Sequence, residues 1–204
     1  MNQVIELLLA LGAASLIVTA QFTYIKNIFQ RKIKPSTLSW TGWFLLMLAT
    51  LFAIVLESGW NWSLTGFAIA TFGCGFIALS SFTLKQFNYR HKDWIYFFLG
   101  LSCGLIYQIS KDPMITTIFG ILADLIIGIP TLIKVFTHPD TERSRAWSFG
   151  LISWTLSTVL ALQHDILYIL FPAYLMLFNA TMIIFTNRKK PDSKSKNTLY
   201  RQHI

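Results

Sequence analysis

Seven apolar runs of roughly 16 to 23 residues, separated by short polar loops, constrain the fold of this chain more than any other feature. A helix rises about 1.5 Å per residue, so about 20 apolar residues cross the hydrocarbon core of a bilayer. Only 13% of the residues are charged, whereas a soluble domain usually carries about 25%. The runs therefore predict an all-α integral membrane protein with seven transmembrane helices, whose first partner is the lipid bilayer.

The seven predicted helices divide into two groups of three with one helix between them. Residues 1–88 hold the first three-helix half, residues 89–112 the linker helix, and residues 113–186 the second three-helix half. Residues 187–204 form a basic, polar tail that we expect to be disordered. The predicted spans are residues 4–25, 38–56, 62–84, 94–109, 114–135, 146–162 and 166–185, with each end placed to within about three residues.

The basic residues are distributed in a way that predicts the topology. Sixteen of the 17 Lys and Arg residues fall on one side of the seven spans, and only Lys111 falls on the other. Cytoplasmic loops hold most of the Lys and Arg of a membrane protein. We therefore expect the N-terminus outside and the C-terminus in the cytoplasm, in a bacterial inner membrane. This distribution also accounts for the net charge of +8, so nucleic acid is not an expected partner.

The first two predicted helices align without a gap on the fifth and sixth when the chain is shifted by 108 residues. One linker helix between two such halves makes corresponding helices run in the same direction, so the halves are parallel triple-helix bundles. Parallel repeats occur in secondary transporters, which place the substrate site between the halves near the bilayer midplane. Identities in the alignment include Gly12 with Gly120, Lys26 with Lys134, Ser36 with Ser144 and Gly42 with Gly150.

The two halves also carry similar local motifs. The second half has Pro130-Thr131 followed by Lys134, and the first half has Gln21-Phe22-Thr23 followed by Lys26. With three helices, a linker helix and three further helices, the chain resembles the SWEET and PQ-loop transporter superfamily over roughly residues 4–186. The resemblance implies a transporter of a small polar solute, with its site between the halves.

The chain departs from that superfamily at several positions. It contains no Pro-Gln pair, and its first, second and sixth predicted helices have no proline. Asn179 matches the asparagine that the sugar transporters carry in the last helix of each half, whereas the corresponding position in the third helix falls near Cys74 and Gly75. The resemblance therefore extends to the fold and to transport, but it does not imply a sugar as the solute.

Asp124 lies near the middle of the fifth run, roughly 15 Å from each membrane interface. A charged carboxylate at that depth costs at least ~2.5 kcal/mol, and such residues commonly face a cavity and handle ions or protons. Because burial favours the neutral form of a carboxyl group, proton coupling is one interpretation of this residue. The alternative is a neutral Asp that is hydrogen-bonded to a neighbouring helix.

Four further residues are candidates for binding a substrate or an ion, namely Asn179, Gln21, Thr131 and Trp154. The amide of Asn179 needs a polar partner in the membrane, which is either a substrate or a neighbouring helix. Trp154 either stacks on a flat substrate or packs in the core. The candidates for a hinge or gate are Pro130, Gly128, Gly42 and Gly150, because proline removes a backbone hydrogen bond and glycine allows a helix to bend.

Tryptophans lie near the ends of several predicted helices. Trp40, Trp43, Trp94 and Trp147 are close to the ends that we assign to the cytoplasmic side. Trp is enriched at membrane–water interfaces, so we expect these residues to anchor the helices, with the lining of a cavity as the alternative.

Other classes of function fit the sequence less well. The two cysteines stand alone inside apolar runs, so neither a disulfide, a metal site nor a cofactor is expected. An enzyme is not expected, since the four histidines are scattered, and His138 shares its loop with Asp140 and Glu142 but without metal-ligand spacing. A seven-helix receptor, sensor or binding protein on the same scaffold is the alternative to a transporter. The sequence leaves open whether the chain forms a homo-oligomer.

Overall fold

The computed structural model describes residues 3–58, 65–84, 90–110, 112–162 and 166–188, and within these ranges the chain forms seven α-helices. A 3₁₀ turn at Pro139–Thr141 precedes the sixth helix. The all-α fold expected from the apolar runs is confirmed, whereas most of the predicted tail lies outside the described residues. The helices are α1 (Gln3–Phe29), α2 (Thr37–Ser58), α3 (Thr65–Thr83), α4 (Asp93–Ile109), α5 (Pro113–Thr137), α6 (Ala146–Ala161) and α7 (Ile166–Thr186).

Three of these helices are long and apolar enough to cross a membrane, namely α1, α5 from Met114 onwards, and α7. The apolar stretches of the other four described helices are shorter. The length and composition of the three long helices support the predicted association with a membrane.

The local sequence explains where α5 begins and where α1 ends. The Oδ1 atom of Asp112 accepts hydrogen bonds from two backbone N–H groups in the first turn of α5, at 2.8 and 3.0 Å. Pro113 follows at a position where a missing N–H costs nothing. Arg31 adopts a left-handed conformation with φ 55° just after α1, and the N–H groups of residues 31 and 32 bond back to carbonyls of the last turn. This arrangement stops the helix and turns the chain toward α2.

Six of the helices pack in a ring, and α4 lies outside it. The contacts run from α1 to α3, α2, α5, α7 and α6, and then back to α1, while α4 packs against α5 and α2. The C-terminal ends of α1, α5 and α7 meet the N-terminal end of α6 at one end of the ring. We call this the basic end, because Lys26, Lys134, Arg143 and Arg188 lie there.

Glycines allow close approach between α2, α4 and α5. A Cβ atom at Gly100 of α4 would lie 3.1 Å from the backbone oxygen of Ala123 in α5 and would also collide with Ile127. A Cβ atom at Gly42 of α2 would lie 2.7 Å from Cγ2 of Ile127. Gly42, a hinge candidate from the sequence, is thus a point of close contact between α2 and α5, and its bending remains a prediction.

The substitution Gly100→Ala is expected to destabilise the protein, because the new methyl group meets a backbone oxygen that cannot move aside alone. Overpacking of this kind costs about 1–3 kcal/mol, which thermal unfolding in detergent would register as a lower midpoint. Gly12→Ala is the matched control, since its Cβ atom would lie 3.6 Å from the nearest atom, an ordinary contact. Equal midpoints for the two variants would contradict the close α4–α5 contact.

Candidate functional site

A cavity of about 120 Å³ lies inside the ring of helices. Residues of all six ring helices line it, and no described residue of α4 does so. The lining is mainly apolar and aromatic, and its principal polar groups are the carboxyl group of Asp124 and the amides of Gln21 and Asn179. Few polar groups in an apolar enclosure are typical of a binding site for a small molecule.

The structure brings four of the five predicted binding residues together at this cavity: Asp124, Asn179, Gln21 and Trp154. They come from α5, α7, α1 and α6, so their meeting depends on the ring. Thr131 lies apart, two turns further along α5, where it is fully buried and its hydroxyl has no hydrogen-bond partner among the described residues.

Asp124 is only 6% exposed and is held from two neighbouring helices. Its Oδ2 atom accepts a hydrogen bond of 2.7 Å from the hydroxyl of Tyr174 in α7. Its backbone oxygen accepts a second one, of 3.0 Å, from the indole N–H of Trp43 in α2. The Oδ1 atom has no hydrogen-bond partner among the described residues, so one carboxyl oxygen is left for a ligand.

The two amides of the cavity use their nitrogen atoms for contacts with the backbone. Nε2 of Gln21 donates to the carbonyl of Ala70 in α3 at 2.9 Å, and Nδ2 of Asn179 donates to the carbonyl of Leu175 at 2.8 Å. Neither amide oxygen has a partner among the described residues. Both side chains are therefore fixed by the protein while each keeps an oxygen as a hydrogen-bond acceptor.

Two of the hinge candidates make room for the walls of the cavity. A Cβ atom at Gly128 would lie 2.9 Å from the ring of Phe178 and 3.1 Å from that of Trp43, and one at Gly150 would collide with the amide of Asn179. Pro130 is buried inside α5. The glycines are thus needed for packing around the site, and a role in bending remains a prediction for all three residues.

A second cavity, of about 490 Å³, lies toward the end of the ring opposite the basic end. Its lining includes Thr50 in the C-terminal half of α2, and Thr116 and Tyr168 near the starts of α5 and α7. Asp124 lines both cavities, as do Met47 and Phe171. Asp124 therefore sits at the boundary between the central cavity and the second cavity.

Toward the basic end, three aromatic side chains form a layer across the central cavity. The ring centroid of Tyr24 lies 4.8 Å from that of Trp40 and 5.7 Å from that of Trp147. Trp40, Trp43 and Trp147 are all at least 92% buried and line the cavity, so the expectation that they anchor helices at the membrane surface is wrong for these three. Trp94 is 37% exposed, which fits the predicted anchor.

A buried ion pair lies behind this aromatic layer. Nζ of Lys134 contacts Oε1 of Glu142 at 2.5 Å, and the side chain of Glu142 is completely buried. The hydroxyl of Tyr24 donates to the other carboxylate oxygen of Glu142, and the indole N–H of Trp40 donates to the Tyr24 hydroxyl at 3.2 Å. The indole N–H of Trp147 donates to the Glu142 backbone oxygen at 3.0 Å. We call these five residues the Glu142 network.

The Glu142 network also joins the two connecting loops at the basic end. Nζ of Lys134 donates to the backbone oxygen of Lys34, and the N–H of Lys34 donates to the backbone oxygen of Thr141 at 2.8 Å. In the sequence, Glu142 has the pattern of an ordinary loop residue. No sequence signal separates it from Asp140, whose side chain is 55% exposed and paired with Arg143.

Glu142→Gln is expected to lower the free energy of unfolding by about 3–5 kcal/mol, because it leaves the buried ammonium group of Lys134 without its counter-charge. Thermal or denaturant unfolding in detergent measures this effect. Asp140→Asn is the matched control in the same loop, since the ion pair of Asp140 with Arg143 is exposed and such a pair contributes about 1 kcal/mol at most. If the two variants unfold alike, Glu142 does not carry the buried charge described above.

Comparison of the chain with known protein families, curated proteins and solved structures finds no match. The chemistry of the two cavities, the aromatic layer and the Glu142 network is therefore the basis for inferring its function.

Proposed function

We propose that this chain is a membrane transporter for a small polar solute, with its binding site in the central cavity. The observation that carries the proposal is the unequal closure of the two ends of that cavity. Toward the basic end, the aromatic layer and the Glu142 network block it. Toward the other end, the second cavity continues from Asp124 to Tyr168, which is 64% exposed. A site that is closed on one side and accessible from the other is what alternating access requires.

The proposal includes a membrane crossing by each of the seven helices. The outward faces of the four shorter helices support this number of crossings. These helices expose large apolar side chains, among them Phe52 of α2, Phe76 of α3, Ile95 of α4 and Ile152 of α6, which are 49–65% exposed. In water this surface would cost about 25 cal/mol per Å², whereas lipid solvates it. All seven helices then lie in the bilayer.

The neighbour relations of the helices support two repeated halves. In one half α3 lies between α1 and α2, and in the other α7 lies between α5 and α6. Together with the shift of 108 residues in the sequence, this order favours two parallel triple-helix bundles around one site, as in the SWEET and PQ-loop superfamily. Asp124 corresponds to Leu16 in the repeat, so only one half supplies a carboxyl group.

The positive-inside rule orients the molecule. The basic end becomes the cytoplasmic end, so the aromatic layer faces the cytoplasm and the second cavity faces outward. Alkaline phosphatase fused after Ser58 or Asp112 should be active, and the enzyme fused after Arg188 should be inactive. If the fusion at either of the first two positions is inactive although the protein is inserted in the membrane, the result contradicts the seven-span topology.

Uptake into proteoliposomes tests transport and its coupling to protons. The wild type should accumulate at least one solute from a panel of sugars, amino acids, amines and vitamins, and a pH gradient should change the rate. Asp124→Asn should lower uptake by about tenfold, as expected for loss of one charged hydrogen bond, and should remove the response to the gradient. The titratable groups that face Asp124 are Tyr174 of α7, at 2.7 Å, and Cys74 of α3, which lines the same cavity.

Asp140→Asn serves as the control for this experiment, because its carboxylate lies outside both cavities. If Asp124→Asn transports the same solute normally at every pH, proton coupling through Asp124 is excluded. Saturable binding by the folded wild type without any uptake would favour the receptor or binding-protein alternative.

A further inference from the structure

The charges around the central cavity select against anions. Asp124 is the single charged side chain among the described residues that line it, and none of the described lining residues of either cavity is a Lys, Arg or His. The buried cation at the basic end, Lys134, lies behind the aromatic layer and is already paired with Glu142. An anion in the cavity would therefore face a carboxyl group with no cation to offset it, and a carboxylate-bearing solute such as an amino acid has the same disadvantage.

The aromatic walls present mainly ring faces to a ligand, because most of their N–H and O–H donors already bond to other groups of the protein. The indole N–H groups of Trp40, Trp43 and Trp147 bond to Tyr24, to the Asp124 backbone and to the Glu142 backbone. The rings of Trp40 and Trp43 meet at 85°, with centroids 5.0 Å apart. Those of Trp43 and Phe178 meet at 88°, with centroids 5.7 Å apart. This edge-to-face packing fixes the orientations of three rings that line the cavity, and a ring face within about 6 Å of a cation attracts it through the ring quadrupole.

Apart from the indole N–H of Trp154, the strong polar groups left over in the cavity are acceptors. The hydroxyl of Tyr174 is committed to Oδ2 of Asp124, and both amides use their nitrogen atoms on backbone carbonyls. Among the described residues, Oδ1 of Asp124 and the side-chain oxygens of Gln21 and Asn179 have no partner. A ligand that satisfies these oxygens has to bring N–H or O–H donors.

We propose that the central cavity recognises a small monovalent organic cation that carries N–H donors, of the amine, amidine or guanidine class. The positive charge lies among the faces of the tryptophan rings and pairs with Asp124, while the N–H groups bond to the amide oxygens of Gln21 and Asn179. This proposal deepens the proposed transport function and rests on the same cavity, but it concerns recognition and can be tested by binding alone.

Three probes of nearly equal size and shape separate charge from shape: benzamidine (a cation), benzamide (neutral) and benzoate (an anion). Binding to the purified full-length protein is measured by quenching of tryptophan fluorescence and by calorimetry at neutral pH. Benzamidine should bind at least about tenfold more tightly than benzamide, as a charge-assisted contact implies, and benzoate should show no saturable binding. Benzamide or benzoate binding as tightly as benzamidine would overturn the proposal, and so would a folded wild type that binds none of the three.

Variants locate the recognition within the cavity. Asp124→Asn should reduce the preference for benzamidine over benzamide to less than about threefold, because the amide keeps the shape and removes the charge. Asp140→Asn, in the loop at the basic end, should leave the preference unchanged. A folded Asp124→Asn protein that keeps the full preference would contradict the proposal, and the wild-type comparison decides the matter if that variant does not fold.

Counterflow of labelled benzamidine in proteoliposomes distinguishes this proposal from the proposed function. Selective binding without counterflow would uphold recognition of a cation and reject transport. Uptake of neutral or anionic solutes with no preference for a cation would uphold transport and reject the assigned class of substrate.

Discussion

The ion pair between Glu142 and Lys134 is the interaction on which the rest of the site depends. Both groups are buried, and a buried charge is stable only when its counter-charge and its hydrogen-bond partners are in place. The partners of Glu142 are Tyr24 and Trp147, and Tyr24 in turn accepts a hydrogen bond from Trp40. The carboxylate and the backbone oxygen of one residue therefore fix, directly or through Tyr24, the positions of three aromatic rings on three helices. Those rings close the basic end of the cavity and form part of its wall.

If the chain consists of two repeated halves, as proposed, the network makes those halves unequal at the site. In the alignment shifted by 108 residues, Lys34 corresponds to Glu142 and Lys26 to Lys134. The main chain of Lys34 bonds to Lys134 and Thr141, so two loops that correspond in the repeat lie against each other. Lys26 is exposed whereas Lys134 is buried, because only the second loop supplies a carboxylate. Asp124, with Leu16 as its counterpart, adds a second inequality in the same half, so in the proposed repeat both of these buried carboxyl groups, Asp124 and Glu142, come from the second half.

The sequence was most informative where a single residue differs in polarity from the residues around it. Apolar runs predicted the helices, because length and hydropathy are local properties, and a lone carboxyl group in the fifth run singled out Asp124. Gln21 and Asn179 stood out for the same reason. Trp40, Trp43 and Trp147 could not be assigned in this way, since a Trp near a helix end has the same local pattern whether it faces lipid or a cavity. Glu142 was missed because its burial depends on Tyr24, 118 residues away, and no local pattern contains that distance.

The position of the Glu142 network limits how the basic end can open. Any movement that separates α1 from α6 there has to part Tyr24 from Glu142, and also Asn27 from Ser144, which are joined at 2.8 Å. That separation takes one hydrogen bond from a buried carboxylate, which costs about 1–3 kcal/mol or more, so in the proposed transport cycle the basic end opens readily only if water or solute replaces the Tyr24 hydroxyl. The same bonds that hold the aromatic layer shut thus require the path to become hydrated when it opens. In the proposed transport cycle, opening and hydration of the basic end are therefore one event, and the carboxylate of Glu142 couples them.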